Sequence, residues 1–72
     1  MEITTSEKIK ILVSRRKMTL GALAEKTGQS RQNLSNKLVR NNFSENELKK
    51  IAKALDCEYR STFYMPDTQE EL

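Results

Sequence analysis

Residues 28–38 read GQSRQNLSNKL, and two leucines, Leu34 and Leu38, stand one helical turn apart among Gln, Asn, Ser, Arg and Lys. Residues 29–42 hold three cations, many amides and no carboxylate. These side chains can do one kind of chemistry together. Arg bonds bidentately to guanine, and Gln or Asn does so to adenine. Ser hydroxyls and the backbone N–H groups at a helix start suit phosphate oxygens. A carboxylate on the same face would repel a polyanion. The competing reading is an ordinary solvated helix face. Such faces usually mix Glu with Lys, because pairs at i, i+4 support the helix, and this one carries no acid.

Catalysis has almost nothing to stand on. The chain has no histidine, and its one cysteine, Cys57, has no imidazole to activate it. No metal-ligand cluster, Gly-rich phosphate loop or carboxylate pair with acid/base spacing occurs. No catalytic residue, metal or cofactor is therefore expected, and no small-molecule ligand is implied. Cys57 reads as small, buried and inert.

The elements that must position residues 30–41 can be read along the chain. At 72 residues this is one domain, near the lower limit for folding alone. A hydrophobic share of 36% with two glycines suits a compact helical domain better than disorder. A first helix is expected over 5–17: Thr4 and Glu7 have capping-box spacing, and Ile9, Leu12 and Val13 make one apolar stripe. Arg15, Arg16 and Lys17 crowd its last turn, where cations suit the helix dipole. A short second helix is expected over 20–27, with Thr19 as N-cap and Gly28 as the stop. A third starts after Gly28-Gln29, with Ser30 as N-cap and Leu34 and Leu38 facing inward. Most of its other residues are mediocre helix formers or charged, so helicity did not select them. Arg40-Asn41-Asn42 reads as a polar connector. The fourth helix has Ser44 and Glu47 as a second capping pair, Phe43 and Leu48 at staple spacing, and Leu48, Ile51, Ala52 and Leu55 as its stripe.

The period changes in EYRSTFYM. Tyr59, Ser61, Phe63 and Met65 alternate with Glu58, Arg60, Thr62 and Tyr64, and the run stops at Pro66-Asp67. That predicts one β-strand over 59–65 followed by a turn, with no second strand in the chain. A lone strand must pair its backbone groups with something. Antiparallel pairing with a second copy is one solution. A tail packed on its own domain, a small hairpin through 66–69, or disorder past Met65 are the others.

Charge is uneven. Residues 1–55 carry 12 Lys/Arg and 5 Asp/Glu, whereas residues 56–72 carry one Arg and 5 acids. A basic body with an acidic tail points to a polyanionic partner for the body. Lys49, Lys50 and Lys53 read as a solvated face, and Tyr59 and Tyr64 as packing residues. No apolar run approaches a membrane span and nothing resembles a signal peptide. With a single cysteine, these features predict a cytoplasmic setting.

A short helix, a glycine turn and a second short helix form a helix-turn-helix by spacing. MTLGALAEKTGQSRQNLSNKL resembles the helix-turn-helix of the Cro/phage-repressor (XRE-type) family through Leu23-Ala24-Glu25-Lys26, Gly28, Ser30-Arg31-Gln32, Leu34 and Ser35-Asn36. FSENELKKIAKALDC is similar to that family's next helix. The resemblance covers about residues 5–57. It implies an all-α, small four-helix, lambda-repressor-like domain (1–57), here followed by a C-terminal β-strand and tail (58–72). It further implies a transcriptional regulator, a repressor for choice, that binds double-stranded operator DNA as a homodimer in a bacterial or phage setting. Carried over by position, Arg31, Gln32 and Asn36 fall where relatives contact bases. Ser30, Asn33, Lys37, Arg40 and Asn41 fall where phosphates are held. The strand is similar to that of Cro, which makes Tyr59, Ser61, Phe63 and Met65 the expected dimerisation residues. Two positions depart from the family: Leu20 stands where many members have a phosphate-touching glutamine, and Lys37-Leu38 where many have an aromatic and a Glu. The runner-up is an antitoxin or interaction module whose tail binds a protein partner.

Overall fold

The computed structural model describes residues 3–72. Four helices follow in order, α1 (Thr5–Arg15), α2 (Leu20–Lys26), α3 (Arg31–Arg40) and α4 (Glu45–Ala54), then two short strands, β1 (Tyr64–Met65) and β2 (Glu70–Glu71). Each helix starts at a hydroxyl. Thr4, Thr19, Ser30 and Ser44 accept from the backbone N–H of Glu7, Ala22, Asn33 and Glu47 at 3.1, 3.1, 3.0 and 3.2 Å. Each bond satisfies a donor the helix itself leaves open.

The four helices also end alike. Lys17, Gly28, Asn41 and Asp56 all take positive φ, between 51° and 73°. The next residue then donates back five positions: Met18 to Val13 O, Gln29 to Ala24 O, Asn42 to Lys37 O and Cys57 to Ala52 O, at 2.8–3.2 Å. This 6→1 closure satisfies a terminal carbonyl and reverses the chain. Only one of the four sites is a glycine, and it alone was legible as a stop signal. The connectors are short because each helix breaks within about two residues.

One stripe per helix meets in the core. Ile9 and Val13 come from α1, Leu23 and Ala24 from α2, Leu34 and Leu38 from α3, and Ile51 with the C-cap Leu55 from α4. Leu23, Leu34 and Leu55 are wholly enclosed. Phe43 and Leu48 pack against this cluster from either side of the Ser44 cap, as staple spacing requires. A buried polar knot ties α1 to the end of α3. Ser6 Oγ donates to Leu38 O at 2.6 Å, and the Ser6 N–H donates to Asn41 Oδ1 at 3.0 Å.

Two expectations about the chain's course need correction. Arg40 belongs to α3 rather than to a connector. The single strand over 59–65 shrinks to Tyr64–Met65, and a second strand exists. The pair is antiparallel, with Tyr64 opposite Glu71 and Met65 opposite Glu70. Phe63 and Leu72 extend it by exchanging bonds of 3.0 and 2.8 Å. The reason is local. Residues 66–69 form the turn, Gln69 adopts φ 61°, and its N–H returns to Met65 O at 2.7 Å. Residues 70–72 then lie within reach, so β1 finds its partner in its own chain. No helix among the described residues is long and apolar enough to cross a membrane.

Candidate nucleic-acid interface

α3 is held by its two leucines and presents everything else. Leu34 and Leu38 are buried, while Arg31, Gln32, Asn33, Asn36 and Arg40 are exposed. Its entry is fixed by a relay of side chains across the turn. Asn33 Nδ2 donates to Gln29 Oε1 at 3.0 Å and Gln29 Nε2 donates to Thr27 Oγ1 at 2.9 Å. Thr27 Oγ1 lies 3.0 Å from Leu23 O, one of the last carbonyls of α2. Asn33 therefore braces the turn from inside α3.

Two of the three expected base readers, Gln32 and Asn36, stand together on the outer face. Gln32 Nε2 donates to Asn36 Oδ1 at 3.1 Å across one helical turn. An amide nitrogen has two protons and an amide oxygen two lone pairs. Gln32 therefore keeps one N–H and its whole carbonyl for a partner, the pair that adenine needs. Asn36 keeps its NH2 group. Arg31 lies to one side, lining a shallow groove with Leu20, Gln32 and Ser35. The arginine stem passes over α2 at Gly21, where a Cβ would stand in ordinary contact, 3.8 Å from Arg31 Cδ. Arg31 has no carboxylate partner among the described residues.

The expected phosphate set divides by what each residue already does. The Ser30 hydroxyl accepts at the cap and still has its own proton to give. Arg40 is exposed beside the end of α3. Asn41 spends its carbonyl oxygen on Ser6, which leaves its NH2 group, the half a phosphate can use. Lys37 is the exception. Its Nζ donates to Glu47 Oε1 at 2.9 Å, in a pair about one-third exposed at each side chain. Glu47 was expected to close a capping box at Ser44. Its backbone N–H does bond Ser44, but its carboxylate turns to Lys37, so only Thr4 and Glu7 form the reciprocal box.

The bond from Lys37 holds the Glu47 carboxyl below the ordinary glutamate range, against a smaller opposing effect of desolvation. A depressed folded-state pKa contributes stability above the unfolded value and loses it as pH falls through the folded one. Wild type is therefore expected to be more stable than Glu47→Gln at neutral pH, with the gap closing below the carboxylate range. Urea midpoints of both proteins across an acid series check this. A gap that does not change with pH would refute it.

Several residues carry more than the sequence disclosed. Val39 on α3 is 84% exposed, the highest value among the large apolar side chains. Its position three after Asn36 and seven after Gln32 puts it in their row, a spacing visible in the sequence itself. Arg16 stands at the C-cap of α1, as expected, and its side chain also closes the end of α4. Its Nε donates to Leu55 O at 2.8 Å and its Nη2 to Asp56 O at 3.0 Å. Cys57 beside it is half-buried rather than buried, with Sγ 3.7 Å from Arg16 Nη2. Lys50 and Lys53 join Lys26 around a groove that no carboxylate lines, whereas Lys49 lies 3.9 Å from Glu45.

The four residues expected at a dimer contact are spread over the tail. Tyr59 borders a groove between α1 and α4 with Ile9, Leu12, Leu48 and Cys57. Ser61 Oγ donates to Glu45 Oε1 at 3.0 Å. Phe63 and Met65 belong to the hairpin, and Phe63 is 80% exposed.

A family model described as a Cro/C1-type HTH DNA-binding domain matches residues 8–59, which is most of the chain and all of α2, α3 and α4. No curated protein and no solved structure gives a significant match.

Proposed function

Because the chain belongs to the Cro/C1-type helix-turn-helix DNA-binding family, a family of transcription regulators rather than enzymes, we propose that it is a repressor that inserts α3 into the major groove of an operator. The observation that carries this is the outer row of α3. Gln32 and Asn36 stand on the face opposite the buried Leu34–Leu38 anchor, and Arg31 is exposed to one side of them near α2, on a helix without a single carboxylate. Such a face has little to contribute to folding and offers paired donors and acceptors to base edges. Ser30, Arg40 and the Asn41 amide flank it at both ends, where duplex phosphates run past a helix lying in the groove. Lys37 reaches a phosphate with the two N–H groups that Glu47 leaves free. Repression is then steric: the bound domain occupies DNA that polymerase needs. The setting is the cytoplasm of a bacterial or phage-infected cell. The test is selection of a binding site from random duplexes, followed by fluorescence anisotropy across a salt series. Discrimination of about a thousandfold or more over random DNA is expected. Equal binding to all sequences would leave only a basic surface.

The hairpin is the element we assign to dimerisation. Two-stranded hairpins are marginal alone, and Phe63, Tyr64 and Leu72 are 80%, 58% and 72% exposed. Pairing of two hairpins about a two-fold axis would cover these side chains and set two copies of α3 about 34 Å apart, one turn of duplex. Sedimentation equilibrium is expected to show a dimer at micromolar concentration that Phe63→Ser dissociates. A wild-type monomer at high micromolar concentration would remove the hairpin from this role. The same exposed side chains would then favour the second reading, an antitoxin-like module whose tail binds a protein partner.

A further inference from the structure

We propose that Val39 reads the 5-methyl group of a thymine in the operator, an inference that rests on the groove-reading role of α3. Val39 contributes nothing visible to the fold. It is 84% exposed and lies outside the core cluster and the side chains packed against it. A β-branched residue also forms helix less readily than Ala, Lys or Glu. The last turn of α3 would gain from a cation at that position, as it does from Lys37 and Arg40. Folding thus argues against valine, and water contact argues against it again. The residue stands on the most polar helix of the molecule, in one row with Gln32 and Asn36.

The major groove explains the exception. Base edges there present donors, acceptors and a single apolar group, the thymine methyl. A row of two amides and one valine matches a stretch that offers hydrogen-bonding edges and then a methyl. Gln32 and Val39 are seven residues apart, so they stand about 10 Å apart along the axis at about 1.5 Å per residue. That is about three base steps at about 3.4 Å each. The thymine is therefore expected about three base pairs from the one that Gln32 contacts. The inference also fixes a docking angle. α3 must lie along the groove, because a helix entering only by its first turn would lift Val39 away from the bases.

The experiment uses the full chain and the selected operator. Each thymine of a half-site is replaced in turn by deoxyuridine, which removes the methyl and leaves every hydrogen-bonding atom. Wild type is expected to lose about fourfold in affinity at one position, the worth of burying one methyl. Val39→Ala is expected to bind the thymine and uracil operators alike. This variant removes no buried contact and improves helix propensity, so it folds. The inference is overturned if no uracil weakens wild type, or if uracil weakens Val39→Ala to the same degree. It is also overturned if Val39→Ala alters the sedimentation profile and not DNA affinity, which would make Val39 a protein contact. Failure of wild type to select any site would sink the groove-reading role itself, and this inference with it.

Discussion

Leu34→Ala is expected to destabilise the protein by about 3 kcal/mol, within the range of about 2–5 for truncating an enclosed leucine. Leu34 has no accessible surface and belongs to the same core cluster as residues of all three other helices. A domain of this length has only about 4–10 kcal/mol in hand. The loss therefore takes a large part of the whole. Relaxation cannot recover much of it, because Leu23 and Leu55 are equally enclosed and have no room to move inward without opening a gap elsewhere. A urea titration checks this: the midpoint falls and the slope stays the same. A loss under about 1 kcal/mol would mean that the core collapses onto the missing side chain. The consequence for function is direct. Leu34 is one of two leucines that anchor α3 in the core, so apparent DNA affinity is expected to drop with the folded fraction even though Leu34 itself is wholly buried.

The contrast between local and distant signals explains what the sequence disclosed. Helix starts were legible at Thr4, Thr19, Ser30 and Ser44 because a cap is chemistry within three residues. Gly28 was legible as a stop for the same reason. Lys17, Asn41 and Asp56 take the same left-handed conformation, but their side chains carry a weaker signal than glycine, and surrounding structure imposes the geometry. Partners far apart in the chain were not legible at all. Asn41 meets Ser6 across 35 residues, and Arg16 meets Leu55 across 39. Glu47 had two possible partners, its own cap and Lys37. Only folding brings Lys37 within 2.9 Å, where a charged donor wins over a backbone N–H. In the tail, alternation over 59–65 gave the period of a strand but not its partner, because the turn at 66–69 depends on Gln69 accepting a positive φ. In the candidate site, the positions of the residues on α3 were legible, since Leu34 and Leu38 set the phase of the helix. Their existing hydrogen bonds were not, because those depend on rotamers.

Arg31→Ala and Gln32→Ala are each expected to cost about 1–3 kcal/mol on the selected operator and little on random DNA. Both side chains are exposed and neither bonds a group of the core, so stability changes little. The two differ in one respect. Gln32 also donates to Asn36, so its loss frees the Asn36 amide to turn, and Gln32→Ala is expected to relax specificity at two base pairs where Arg31→Ala relaxes it at one. Lys37→Ala provides the contrast. A lysine that meets a phosphate carries no sequence information, so its loss weakens specific and random DNA alike and lowers the salt slope by about one. Here the existing bond to Glu47 sharpens the expectation. Removing Lys37 leaves the Glu47 carboxylate unneutralised beside the duplex, so Lys37→Ala should weaken binding more than Arg40→Ala does. The double variant Lys37→Ala with Glu47→Gln should recover part of that difference. Anisotropy on one operator and one random duplex, across a salt series, separates these cases. Equal losses on both duplexes for Arg31→Ala and Gln32→Ala would mean that the outer row of α3 meets only backbone. The groove-reading assignment would then be lost while DNA binding remained.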